Sequence, residues 1–301
     1  MTNSAIDIVI PFLNPESKTW QAEFAKYKTQ LGLKTANRFR DWGTMKYVLR
    51  GIETNCPWVN KVHLILFDES MIPNWLNTLN SKLHICYHRD YIPKQFLPTF
   101  SSSVIEMFIH KIPDLAENFI YSCDDMLFVK PIPEDYFFKN NKPVSPLNSV
   151  LSSYKTEVDD WCRIENNNYR LEAKLLGKLL RCDHPHFQIP FNKTFIEFIW
   201  YKLESDFIKG LSYSKMRNKY ENQIWIFDDL QRLTKHAITN INIFNNAKIY
   251  QSNNTGNFSA FKNKNIVCFN DTDNQKNYEL VKKKFIQYME SVLPKKSSFE
   301  K

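Results

Sequence analysis

Short apolar runs alternate along the chain with segments patterned at helical spacing. Ile6 to Leu13 is apolar apart from Asp7 and reads as a first strand, with Pro11 marking its end or an edge. Trp20 to Leu31 has the character of a helix stopped by Gly32. From Thr44 to Glu53, Met45, Val48, Leu49 and Ile52 share one helical face, with Thr44 as a natural N-cap and Cys56-Pro57 as the stop. Val62 to Phe67 and Leu83 to Tyr87 are near-continuous apolar strands, the first running into Asp68. Ser103 and Glu106 have capping-box spacing ahead of an apolar face made by Val104, Ile105, Phe108, Ile109 and Ile112. Phe119-Ile120-Tyr121 is a further buried strand, running directly into Cys123-Asp124-Asp125.

Beyond Pro146 the pattern becomes more helical, with amphipathic stretches at Thr194 to Ile208 and Asn218 to Leu233. Ile266 to Phe269 is a late strand ending in Asn270-Asp271, and a last helix spans Gln275 to Val292. This order predicts the α/β class: a mostly parallel, Rossmann-like sheet flanked by helices, with a helical insertion. No linker or repeat divides the chain, so residues 1–301 read as one catalytic domain, with 150–255 as a helical elaboration within it. Ligands of such sheets bind beyond the carboxyl ends of the strands, where Asp68 and Asp124-Asp125 fall.

Composition narrows the chemistry. At 43% hydrophobic and 24% charged, the chain can bury a sizeable core. Only six glycines are present, and neither a dinucleotide fingerprint nor a Walker loop occurs. The net charge of +8 suits an acidic partner. The basic residues are scattered apart from Lys282-Lys283-Lys284, and no zinc-finger or RNP-like motif accompanies them, so nucleic acid is not the expected partner. The six cysteines contain no C-x-x-C pair and read as buried thiols in a reducing cytoplasm. No signal peptide and no run long enough to span a membrane is recognised.

Adjacent carboxylates such as Asp124-Asp125 at a strand end can hold a divalent cation against a diphosphate, although a loop start also favours Asp. Asn270-Asp271 repeats the arrangement, with helix capping as the structural alternative. Arg38, Arg40, Asp41, Lys46 and Arg50 either clamp a diphosphate or solvate a helix surface. In Asp183-His184-Pro185-His186, a histidine can accept a proton from an attacking hydroxyl. Arg217 and Glu221 stand four apart, as either a helix ion pair or a phosphate ligand and its neighbour.

Four blocks of these residues resemble the Stealth family of sugar-phosphate transferases. The first is Ile6 to Asn14. The second runs from Arg38-Phe39-Arg40-Asp41 through Leu49-Arg50, Pro57-Trp58-Val59, Ile72 to Asn77, Leu97 to Phe100, Ile105-Glu106 and His110 to Pro113 to Asp124-Asp125. The third carries Pro185-His186, Arg217 and Glu221; the fourth holds Val267 to Asp271, with Tyr288 to Ser291 and Ser298 to Glu300 after it. The resemblance implies a glycosyltransferase-A-like sheet and a hexose-1-phosphate or N-acetylhexosamine-1-phosphate transferase. Such an enzyme moves the sugar phosphate from a UDP-sugar to a saccharide hydroxyl and releases UMP. The alternatives are a glycosyltransferase of similar fold that releases UDP and a non-catalytic saccharide-binding assembly protein. By the same resemblance, Asn14, Arg38, Asp41 and Arg50 bind the donor. Glu106, Asp124 and Asp125 build the centre, His186 is the base, Arg217 contacts phosphate, and Asp271 joins Asp124 and Asp125 around Mg²⁺ or Mn²⁺. The implied setting is bacterial capsule or surface polysaccharide synthesis at the cytoplasmic membrane face. Lipid-linked acceptors and peripheral membrane or assembly contacts belong to that setting. The chain departs from the family pattern at Phe12, Pro15, Cys123, Asn222 and Asp183, the last a substitute ligand for a missing histidine.

Overall fold

The computed structural model describes residues 4–30, 39–147, 149–183, 185–240, 247–251, 256–271 and 277–301. In chain order its first half holds β1 (Ile6–Pro11), α1 (Lys18–Tyr27), α2 (Thr44–Asn55), β2 (Val62–Leu66), β3 (Leu83–Tyr87), α3 (His88–Tyr91), α4 (Ser102–Met107), β4 (Asn118–Tyr121), β5 (Met126–Phe128), β6 (Phe138–Lys139) and β7 (Lys142–Pro146). The second half holds β8 (Ser149–Leu151), α5 (Asp160–Leu176), β9 (Arg181–Asp183), β10 (Ile189–Asn192), α6 (Lys193–Leu211), α7 (Trp225–Leu233), β11 (Ile238–Asn240), β12 (Ala247–Gln251), β13 (Ile266–Asn270) and α8 (Tyr278–Val292).

The central sheet has five strands in the order β10-β4-β1-β2-β3. β4, β1, β2 and β3 run parallel, while β10 pairs antiparallel with β4. Both faces are buried, as the near-continuous apolar runs require. Ile8, Ile10, Leu64, Leu66 and Ile120 point into one core with α2 and α8. Val9, Ile65, Phe119 and Tyr121 point into the other with α6 and α7. The two-residue period of a strand separates these sets. The polar interruption at Asp7 is fully buried and satisfied: His63 Nε2 lies 2.9 Å away, and Asn60 and the backbone amides of Lys61 and Ala116 donate to it. Burial alone would push its carboxyl up, yet these donors hold it below the usual carboxylate value.

Segment 150–255 carries α5, α6 and α7, and it also supplies β10 to the central sheet. Several boundaries differ from the sequence reading. The N-cap position of α2 is Gly43, whose φ of 71° is left-handed, and Thr44 is already helical and buried. The Ser103–Glu106 capping box does not form: α4 begins at Ser102, and Glu106 is turned toward Tyr121 instead. Asn218 to Ile224 is not helical, so no i,i+4 geometry links Arg217 to Glu221. Glu221 is buried and accepts from Ser101 Oγ at 2.8 Å and Asn218 Nδ2 at 3.1 Å. The last helix starts at Tyr278, after Asn277, so Asp271 does not cap it.

Candidate active site

Two strand registers meet at Asp124-Asp125. In the β4–β10 pair Ile189 faces Tyr121, and continuing that antiparallel register sets residue 186 opposite residue 124. In the β5–β13 pair Cys268 faces Met126, and the Phe269 amide donates to the Asp125 carbonyl at 2.8 Å. The acid pair is therefore the hinge from the central sheet to a second, three-stranded one, β12-β13-β5. The segment before β10 and the end of β13 both converge on it.

A cavity of about 450 Å³ opens there, lined by Glu106, Asp124, Asp125, His186, Arg217 and Asp271 among others. Burial, the neighbouring Asp125 and Asp41 push the Asp124 carboxyl up to about 8. Asp125 is also raised by burial, against the opposing pull of His186 and Cys268. Its Oδ2 accepts from Cys268 Sγ at 3.6 Å, whereas its buried Oδ1 has no hydrogen-bond partner. Burial lifts Glu106 to about 7, although Arg217 and the Tyr121 hydroxyl, 2.8 Å from Oε1, act downward. The site thus gathers carboxylates short of positive charge, an arrangement suited to a cation. Among the described residues, one group of three metal-ligating side chains is compact: Cys123, Asp125 and His186, whose ligand atoms lie within 4.8 Å of one another.

Arg217 donates from Nη2 to Ser102 Oγ and stacks with Trp161, its guanidinium carbon 5.2 Å from the ring centre. Its Nε is buried without a hydrogen-bond partner. Asp271 lines the same cavity, but both its oxygens accept from Arg40 at 2.7 Å. That bidentate pair holds Arg40 at the rim and sets Asp271 apart from the compact metal-ligating group. Asp41 lies near enough to perturb Asp124; its Oδ1 accepts from the Gly43 amide, and its carbonyl accepts from Tyr278 and Lys282. Lys282 is thus turned inward. Asn14 sits just past β1, where its Oδ1 accepts from the Glu16 amide and its own amide contacts Met71 Sδ at 3.2 Å.

Arg50 is not brought to the cavity. Its guanidinium is buried and tied to Glu300 at 2.8 and 2.9 Å, to Glu290 at 3.0 Å and to the Leu293 carbonyl at 2.8 Å. The apolar face of α2 turns this arginine toward the C-terminal tail, so it braces the frame. Arg38 and His184 lie outside the described residues. Tyr121, Trp161 and Cys268 escaped the sequence reading as site residues. Tyr121 and Cys268 sit inside apolar strands, and only their register with the acid pair distinguishes them from core.

Residues 38–145 match the family description "Stealth protein CR2, conserved region 2". The "Capsular polysaccharide phosphotransferase WcwK" of Streptococcus pneumoniae is 33% identical over 338 aligned positions, spanning 98% of each chain. The chain belongs to the Stealth family. Other relatives at 29% identity are the "Receptor polysaccharide phosphotransferase WefC" of Streptococcus oralis, covering 98% of this chain and 99% of that one, and the "Exopolysaccharide phosphotransferase cps2G" of Lactiplantibacillus plantarum, covering 98% and 96%. Among solved structures, the apo-form glycosyltransferase GlyE of Streptococcus pneumoniae aligns at TM-score 0.46 and 10% identity, over 97% of this chain and 62% of that one. The galactosyltransferase LgtC aligns at TM-score 0.46 and 8% identity, over 95% of each. By its family this Stealth protein is a transferase of the phosphotransferase type, and no helix among its described residues is long and apolar enough to cross a membrane.

Proposed function

We propose that this Stealth protein transfers a hexose-1-phosphate, N-acetylhexosamine-1-phosphate included, from a UDP-sugar to a saccharide hydroxyl in capsular or surface polysaccharide. The whole chain acts as one catalytic unit, with 150–255 supplying the histidine and the arginine. The observation that carries this reading is the convergence of His186, Arg217 and the Asp124-Asp125 pair on one cavity of a Stealth chain.

The acceptor oxygen attacks the β-phosphorus of the donor, a new P–O bond forms, and the bond to the bridging oxygen breaks. UMP leaves, and the hydroxyl proton passes to His186. Arg217 offers its buried, unpartnered Nε toward phosphate oxygens, while Ser102 and Trp161 orient the guanidinium. Glu106 lies near enough to Arg217 for the guanidinium charge to act on its carboxyl. Arg40, clamped by Asp271, adds positive charge at the rim. The unsatisfied Oδ1 of Asp125 and the raised Asp124 carboxyl fit a divalent cation, so these two residues would hold Mg²⁺ or Mn²⁺. When bound, the ion neutralises charge on the diphosphate. The enzyme is placed by this reading at the cytoplasmic face of the membrane, where a lipid-linked acceptor is presented.

Incubation with UDP-hexoses, Mg²⁺ or Mn²⁺ and saccharide acceptors tests the reading. Phosphorus NMR should reveal a new phosphodiester and chromatography should reveal UMP. UDP as the sole nucleotide product, with no phosphorus in the saccharide, identifies an ordinary glycosyltransferase and refutes the proposal. Asp125→Asn and His186→Ala should each abolish UMP release while circular dichroism stays native; wild-type turnover in either removes that residue from the mechanism.

A further inference from the structure

The hinge between the two sheets carries a chemically unusual neighbour for a magnesium-type site. Cys123 precedes the acid pair, and its sulfur lies with an Asp125 oxygen and a His186 nitrogen in a group spanning no more than 4.8 Å. Two independent features point inward. The Asp125 Oδ1 is buried and has no hydrogen-bond partner. Cys123 lines the same cavity, its Sγ 3.4 Å from the Tyr121 hydroxyl, whose own proton is given to Glu106.

A tetrahedral zinc ion holds its ligand atoms roughly 3.3 to 3.8 Å apart, given bonds of about 2.0 to 2.3 Å. The three side chains therefore close on one ion by moving about 1 Å. Thiolate, imidazole and carboxylate form a mixed soft and borderline set. Mg²⁺ demands oxygen ligands in an octahedron and keeps its waters, whereas Zn²⁺ accepts sulfur and nitrogen in four-coordination. Three protein ligands leave a fourth position facing the cavity.

We propose that Cys123, Asp125 and His186 form a Zn²⁺ site inside the cavity, and that its occupancy shuts the enzyme off. Binding replaces the Cys123 S–H bond with an S–Zn bond and releases that proton to solvent. The His186 lone pair goes to the metal and is no longer free to accept the acceptor's proton. The Asp125 carboxylate is likewise withdrawn from a hard cation. The inhibitory consequence rests on the function proposed above; the metal binding does not.

Co²⁺ serves as the spectroscopic probe, because a thiolate–cobalt bond gives a charge-transfer band that oxygen and nitrogen ligands do not. Chelator-stripped, reduced protein titrated with CoCl₂ should develop that band with a one-to-one endpoint, and ZnCl₂ should bleach it. Cys123→Ser should lose the band and weaken Zn²⁺ binding about tenfold or more, while Cys268→Ser keeps the band. Near-UV circular dichroism checks folding, and Cys123→Asn provides a second variant of similar size without the soft ligand. Wild-type protein needs no variant for the third measurement: the calorimetric heat of Zn²⁺ binding should change with the ionisation heat of the buffer, reporting proton release. A missing thiolate band, a band that survives Cys123→Ser, or Zn²⁺ binding without proton release overturns the site. In the transfer assay the Zn²⁺ concentration that halves UMP release should rise about tenfold or more in Cys123→Ser; an unchanged value overturns the inhibitory role. If no preparation releases UMP, the functional reading fails, and the cobalt spectra still decide the metal site.

Discussion

Replacing Arg50 by alanine should unfold the protein more easily without weakening its hold on the donor. The Arg50 side chain is 5% exposed and that of Glu300 3%, so the pair is desolvated on both sides. The substitution removes two bonds to Glu300, one to the Leu293 carbonyl and one to Glu290. Glu290 is half-exposed, and its share is small. The larger cost is the Glu300 carboxylate left buried without its cation, which for such pairs is about 3 to 5 kcal/mol. With an m-value of about 3 kcal/mol/M, a loss of about 3 kcal/mol moves the urea midpoint down by about 1 M. Burial would raise the Glu300 carboxyl, but Arg50 and the Ser297 amide hold it below its ordinary value. A depressed carboxylate contributes stability above its unfolded pKa of about 4.3 and loses it as pH falls through the folded value. The gap between wild type and variant should therefore narrow below about pH 4. Urea unfolding followed by tryptophan fluorescence at pH 7 and at pH 3.5, alongside the donor KM, measures all of this. A midpoint shift under about 0.3 M together with a tenfold rise in donor KM would refute the argument and return Arg50 to the cavity.

Three further outcomes follow from local geometry. Gly51→Ala should cost about 2 kcal/mol, because the new Cβ would stand 2.5 Å from the Phe128 carbonyl oxygen, a backbone atom that cannot swing aside; an unchanged thermal midpoint counts against the close packing of α2 on β5. Glu106→Gln should stabilise the metal-free protein at pH 8 by up to about 3 kcal/mol, since an acid raised to about 7 loses stability as pH climbs from about 4.5 through that value. The difference should vanish at pH 4, and a pH-independent difference would show that ionisation is not its source. Tyr121→Phe removes the hydroxyl that pulls Glu106 down, so the carbon-13 titration of the labelled Glu106 carboxyl should move upward; a downward move contradicts the hydrogen bond.

How much of this was legible in the chain differs from residue to residue. The runs at Ile6, Val62, Leu83, Phe119 and Ile266 announced strands, because a segment buried on both faces must be apolar throughout. Their polar ends announced a site, because loops at strand termini are where polar side chains can gather. Those signals are local, and they placed Asp124-Asp125 beside a ligand cavity without any tertiary information. Local patterns failed where a short polar side chain had two possible partners. Thr44 and Ser103 had the spacing of caps, yet Gly43 took the cap position of α2 and Tyr121 took Glu106. Asn218 to Ile224 had helical periodicity, yet Glu221 was drawn into the buried bonds from Ser101 and Asn218.

What the amino-acid order determined by itself was the class of fold, the family and the end of the sheet where chemistry sits. Tertiary structure decided which charged groups face the cavity. Arg40 and Asp271 are 231 positions apart, and Arg50 and Glu300 are 250 apart. Neither pairing is encoded in any local spacing. One arginine stands at the cavity and the other is buried in the frame because α2 turns its apolar face inward and carries Arg50 with it. His186 reaches the acid pair for a related reason: β10 runs antiparallel to β4, so the residues just before it return to the carboxyl end of the parallel strands.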